Sequence, residues 1–226
     1  MKKLVLIAAA FILMLPSAFA QKGLHAGLKV TPISTWMFNS SDSDEGGEFD
    51  YRSTFGYMVG ATVDYHFTDG FGLGADFLYS SQGQGYKSTI LGAELEGVRS
   101  VKYLKIPILL HFNTNSEEVV YFQGTFGPQF GLLLSAEDDV PVLGPVDITD
   151  SYQKLNIGLV LSFGLGFNVH ENFKIHAGLR FDGAFADAED KDSAYWLTQP
   201  GGADREVTRN VTGGVELGFI YVLPID

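Results

Sequence analysis

Five histidines, His25, His66, His111, His170 and His176, are the side chains of this sequence best suited to acid–base or ligand chemistry. An imidazole becomes a base or a nucleophile's partner only where a carboxylate or hydroxyl stands within hydrogen-bond reach, so its value depends on where the chain places it. A second set is the charges isolated in apolar or glycine-rich stretches: Asp64, Asp76, Lys105, Lys174, Arg180, Asp182 and Glu216. A third is acidic and clustered: Asp42, Asp44, Glu45, Glu48 and Asp50; Glu137, Asp138, Asp139, Asp147 and Asp150; and Asp187, Glu189, Asp190, Asp192, Asp204 and Glu206. Hard cations such as Ca²⁺ prefer such oxygen ligands. However, Asp187-Ala188-Glu189-Asp190-Lys191-Asp192 lacks the glycine and closing glutamate of an EF-hand loop, so the clusters read as a solvated, mutually repulsive surface, with divalent-cation binding as the alternative that calcium titration would test. Gly70-Phe71-Gly72-Leu73-Gly74 sits at a turn with no helix after it and is not a nucleotide loop. Cysteine is absent, which removes disulfides and thiolate metal sites.

The elements that must position these residues show a period of two. From Phe55 to Phe67 every odd residue is apolar or aromatic, while the even residues are Gly56, Met58, Gly60, Thr62, Asp64 and His66. Leu155 to Val169 repeats the pattern, with Asn156, Gly158, Val160, Ser162, Gly164, Gly166 and Asn168 on the second face. Successive side chains of a strand point to opposite faces, so each segment has one oily face and one small or polar face. Eight such segments are expected, at about 23–31, 55–67, 71–82, 101–112, 119–134, 153–169, 173–186 and 208–222. Short turns near 68–70, 113–118 and 170–172 alternate with long loops at 32–54, 83–100, 135–152 and 187–207.

That alternation, with strands long enough to cross a bilayer, predicts an all-β fold: a closed, eight-stranded, antiparallel, up-and-down transmembrane β-barrel. A soluble barrel or sandwich would face the oily set inward and wet the other. Here the other set is dominated by glycine rather than by the lysine, glutamate and threonine of a wet surface. Aromatics near the short turns (Tyr65, Phe67, Phe71, Phe112, Phe167, Phe173, Tyr221) and near the long loops (Phe55, Tyr57, Tyr79, Phe181, Phe185) fit two interfacial girdles. Pro107 and Pro128 fall inside strands, where each predicts a bulge or a missing ladder bond.

With the short turns in the periplasm, all five histidines fall at the periplasmic end. An enzyme acting on outer-leaflet lipid would need its base at the other end. No catalytic residue, cofactor or metal site is therefore expected, although a lipid-modifying enzyme is the alternative that mass spectrometry of lipid A would expose. A lumen of eight strands is filled by side chains. Asp76 is expected to pair with Lys105, and Arg180 with Glu216, across neighbouring strands, because an unpaired buried charge is costly. Reversing the charge at Glu216 should then destabilise the fold and be partly rescued by reversal at Arg180.

Residues 1–20 read as a cleaved signal peptide. Lys2 and Lys3 are basic, 4–15 is apolar, and Ala18-Phe19-Ala20 is a small-x-small cleavage site, leaving 21–226 as the barrel domain. The formal charge of −12 becomes about −14 without the two lysines, which excludes nucleic-acid binding through the overall field.

The chain resembles the PorT-like outer-membrane β-barrel proteins of Bacteroidetes. The resemblance rests on Gly23-Leu24-His25-Ala26-Gly27-Leu28-Lys29, on the run from Gly72 to Gly83, on Tyr103-Leu104-Lys105-Ile106-Pro107 with Ile108-Leu109-Leu110, and on Gly127-Pro128 within 124–131. It implies an eight-stranded barrel in the outer membrane of a Gram-negative bacterium, and it implies no single activity. PorT itself is tied to type IX secretion, so an accessory role in secretion is the alternative to a structural or interaction role. Expected partners are outer-membrane lipid and lipopolysaccharide, other envelope or secretion proteins, and no nucleic acid.

Overall fold

The computed structural model describes residues 23–43, 49–90, 93–140, 144–199 and 201–223. The expected signal peptide, and Asp44, Glu45 and Glu48 of the first acidic cluster, lie outside them. The elements are β1 (Leu24–Phe38), α1 (Ser40–Ser43), β2 (Phe49–Arg52), β3 (Thr54–Thr68), β4 (Phe71–Ile90), β5 (Ala93–Asn113), β6 (Val120–Val140), β7 (Gly144–Asp147), β8 (Leu155–His170), β9 (Phe173–Ala184), α2 (Ala194–Leu197) and β10 (Arg209–Val222). Eight of the strands close a ring in the order β1-β3-β4-β5-β6-β8-β9-β10 and back to β1, every pair antiparallel. The short β2 and β7 are ribbons laid on the outer ends of β4 and β6. Closure gives the backbone of every wall strand two neighbours, which a sheet in lipid requires because no water is there to satisfy a free edge.

The two faces separate as the period of two demands. On β3, Phe55, Tyr57, Val59 and Val63 are exposed while Met58, Thr62, Asp64 and His66 are buried. On β8, Leu155, Leu159, Leu161, Phe163 and Leu165 face out while Asn156, Val160 and Ser162 face in. Leucine and phenylalanine outside, with aspartate, lysine and arginine inside, is the arrangement for a hydrocarbon solvent. Among the described residues no helix is long and apolar enough to cross a membrane. The wall strands do the crossing.

Three expectations change. The segments expected as loops at 32–54, 83–100 and 135–152 contain long strand extensions: β1 runs to Phe38, and β4 and β5 stay paired up to Ile90↔Ala93. At roughly 3.3 Å per residue the 20 residues of β4 span roughly 65 Å, well beyond the ~9–11 residues that cross the hydrocarbon. Ribbons therefore project above the bilayer. Pro32 explains why β1 looked finished at residue 31, since proline cannot donate to a ladder. The β1–β10 ladder in fact skips from Val30↔Leu217 to Ile33↔Gly214 and resumes. The same device serves Pro107, where β4–β5 skips from Ala75↔Ile108 to Leu78↔Lys105. It serves Pro128 too, with β5–β6 skipping from Pro107↔Gln129 to Leu110↔Phe126. These are the missing ladder bonds expected from the sequence.

Candidate functional site: a charged lumen between two plugs

From the short-turn end upward, the lumen has four layers. The foot holds histidines. Asp64 Oδ2 lies 3.1 Å from His25 Nδ1 and 2.9 Å from His66 Nε2. The rings of His25 and His66 stack at 4.3 Å between centroids, and His111 meets His66 edge-on at 5.4 Å. His66 Nδ1 contacts the Asn113 amide and His111 Nδ1 the Gln123 amide, each at 3.4 Å. His176 completes the lining of the same small cavity, whereas His170 is exposed at the end of β8. Four of the five histidines thus converge at the end where the sequence placed them. Among the described residues the side-chain partners of His25, His66 and His111 are Asp64, Asn113 and Gln123.

Above them lies a ring of ions. Arg180, 1% exposed, bonds three carboxylates: Glu216 at 2.8 Å, Asp182 at 2.9 Å and Asp76 at 3.1 Å. Lys29 Nζ reaches Asp76 at 2.9 Å, and Lys105 Nζ reaches Asp182 at 3.0 Å. Ser162 donates to Glu216 at 3.1 Å. Lys29, Lys105 and Arg180 balance Asp76, Asp182 and Glu216, so the formal charges cancel.

The expected pair Arg180–Glu216 is present, but Asp76 and Lys105 do not pair with each other. The β4–β5 register sets Lys105 opposite Leu78, two positions from Asp76, and their side chains aim across the lumen rather than along the wall. Lys105 on β5 crosses to β9, and Asp76 on β4 takes Lys29 from β1 and Arg180 from β9. Lys29 belongs to this ring although the charge set read from the sequence left it out. The signal was available: Lys29 shares the inward face of β1 with His25 and Gly27.

A thin apolar layer of Ile33, Met58 and Leu78 follows, and then the outer plug. Trp196 of α2 is fully buried among Met37, Val101, Tyr103, Ala136, Ile148, Tyr152 and Ala188. Arg205 lies over the Trp196 ring at 4.9 Å and forks onto Asp42 (2.6 and 3.1 Å) and Glu189 (2.6 and 3.0 Å). Arg99 also lies over the Trp196 ring, at 5.2 Å, and donates to Tyr195 Oη at 3.1 Å and Gln199 at 2.9 Å. Tyr195 in turn donates to Asp138 in a very short contact. Burial pushes the Tyr195 phenol well up, which keeps it a donor.

This corrects the reading of the acidic clusters as uniformly solvated. Asp42, Asp138 and Glu189 are buried and paired, one from each of the three clusters. Asp50, Glu137, Asp139, Asp147, Asp150, Asp192, Asp204 and Glu206 remain exposed. Arg99, Arg205 and Trp196 come from distant segments, and no short motif announces them.

A family model for the outer membrane protein beta-barrel domain matches residues 19–189. The chain belongs to this family. As a member it is an outer-membrane protein, and the oily outer wall is the surface that lipid covers. Several solved outer-membrane proteins are similar to the chain over most of their length. Neisserial surface protein A is 15% identical over 90% of this chain and 100% of its own, with a TM-score of 0.49. OprG of Pseudomonas aeruginosa is 12% identical over 90% and 96%, with a TM-score of 0.49. Ail of Yersinia pestis, solved with the heparin analogue sucrose octasulfate, is 16% identical over 88% and 99%, with a TM-score of 0.43. Among curated proteins none matches the sequence.

Proposed function

We propose that this family member is a non-enzymatic, non-conducting barrel with a structural or interaction role. It holds a rigid, acidic platform outside the cell and presents short turns to the periplasm. The observation that carries this reading is the filled axis. The neutralised ion ring around Arg180 and the Trp196 plug stand in series along a lumen that an eight-stranded wall already makes narrow. The ion ring is structural in this reading: it fills the lumen and fixes cross-lumen register rather than passing ions. Its lipid-facing girdles contact outer-membrane lipid and lipopolysaccharide, and its two ends are free for other envelope proteins. Planar-bilayer recording tests it. Purified barrel should insert without a stable conductance, and a reproducible open channel would overturn the reading.

A second reading, an accessory factor of type IX secretion, draws on the PorT-like motifs around Gly23–Lys29 and Tyr103–Leu110. A deletion strain that secretes all its cargo normally would remove it.

A further inference from the structure

The foot of the barrel holds a set of groups that the filled lumen does not need. We propose that His25, Asp64 and His66 bind one divalent first-row transition-metal ion, zinc above all, with His111 as the fourth donor. The proposal goes beyond the structural reading and survives or fails independently of it.

One donor atom from each of His25, Asp64 and His66 already lies within 4.8 Å of the other two, and all three residues are buried. Tetrahedral zinc with bonds near 2.0–2.1 Å sets its ligands about 3.3 Å apart. The two nitrogen-to-carboxylate separations here, 2.9 and 3.1 Å, lie a few tenths of an ångström inside that edge. An ion can therefore replace the two shared protons with small side-chain shifts. Imidazole and carboxylate donors of this kind suit zinc and its neighbours in the first transition row rather than calcium or magnesium.

The fourth ligand is argued from a group without a partner. His111 Nε2 is buried and bonds nothing, which is costly for a polar atom in such a place. It sits over Gly74, the residue paired with Asp64 across the β3–β4 ladder. A Cβ at Gly74 would lie 3.0 Å from His111 Nε2 and 2.6 Å from the Asp64 Cβ, so only glycine leaves this approach open.

The outer partners fit as well. Metal-bound histidines donate their second N–H to an oxygen. The side-chain oxygen of Asn113 is buried without a partner while its amide lies 3.4 Å from His66 Nδ1. Turning that amide over gives His66 such an acceptor, and turning Gln123 does the same for His111 Nδ1. In that arrangement each neutral imidazole carries its proton on the outer nitrogen and offers the inner lone pair. The cavity among these residues, about 20 Å³, has room for one water-sized guest and excludes a lipid or a sugar. Lys174 lines the same cavity and opposes a cation there.

The test uses the full chain folded in detergent without a polyhistidine tag. Titration calorimetry with zinc chloride and the visible spectrum of the cobalt(II) form are the readouts. One ion per chain and a tetrahedral cobalt spectrum are expected. His66→Ala should weaken zinc binding at least about a hundredfold and Asn113→Ala about 10–100-fold, as losses of a ligand and of its orienting partner. Lys174→Met should tighten it, an effect that a purely structural histidine cluster does not produce. Exposed His170→Gln should change nothing. Heat-modifiable gel mobility checks that each variant is folded; should His66→Ala fail that check, Asn113→Ala and Lys174→Met decide. No binding at millimolar zinc, an octahedral cobalt spectrum, or an affinity indifferent to the decisive variants would overturn the proposal.

Discussion

Removing the guanidinium at the centre of the ion ring exposes how the ring is balanced. In Arg180→Met, Lys29 still holds Asp76 and Lys105 still holds Asp182, but Glu216 loses its guanidinium partner and keeps the Ser162 hydroxyl, His176 at 3.5 Å and the longer-range attraction of Lys29. Taking one partner from a buried pair costs about 3–5 kcal/mol, because a charge is left in a dry place. Glu216→Gln alone leaves an excess cation and should cost a similar amount. The double variant Arg180→Met/Glu216→Gln removes both orphans and leaves two intact lysine–aspartate pairs. It should cost no more than either single change, instead of the sum of about 6–10 kcal/mol that independence would give.

Urea unfolding and refolding in lipid vesicles, followed by tryptophan fluorescence and by heat-modifiable gel mobility, measures all three differences. Additive losses would refute the assignment of Glu216 as the carboxylate that depends on Arg180. The geometry also lowers the rescue expected from swapping the two charges. A carboxylate at position 180 would face Asp76 and Asp182 as well, so the exchange recovers far less than the neutral double variant does.

Leu161→Arg, on the outer face midway along β8, should cost about 2–4 kcal/mol in the same unfolding assay, the penalty for a cation facing the hydrocarbon midplane. Trp196→Ala empties the outer plug and should cost about 3–5 kcal/mol of local stability; limited proteolysis should then cut within 187–207 while the wall resists. On the projecting β5 ribbon, the Glu96 carboxyl is held down at about 2, first by its hydrogen bond from Arg52 at 2.5 Å and then by Lys87. A depressed carboxylate stabilises above its unfolded value and loses that contribution as pH falls through the folded one. The Arg52–Glu96 tie should therefore persist at pH 4, and an NMR titration of the Glu96 side chain with a midpoint near the ordinary value would contradict it.

The wall was legible because lipid outside and a polar lumen inside leave a period-two record in every strand, as in 55–67 and 155–169. The gathering of His25, His66, His111 and His176 followed from strand direction alone. Cross-lumen partners were not legible, since they depend on shear, which no single strand records. Asp76 thus looked like a partner of Lys105 and is instead held by Lys29 and Arg180. Pro32 hid the outer half of β1 because it resembles a strand end, while the ladder merely steps over it. The plug was hidden for a different reason. Asp42, Glu189 and Arg205 are ordinary surface types, and only their convergence on Trp196 makes them interior.

The central claim is that the oily face of each strand meets lipid while the charged and glycine-rich face lines the lumen. The chain has no cysteine, so single cysteines can be spin-labelled one at a time along β8 from 157 to 165 without background. Oxygen dissolved in the bilayer should broaden the spectra at the odd positions, peaking near 161, and leave the even positions sheltered. Equal accessibility along the strand, or broadening at the even positions only, would contradict the account.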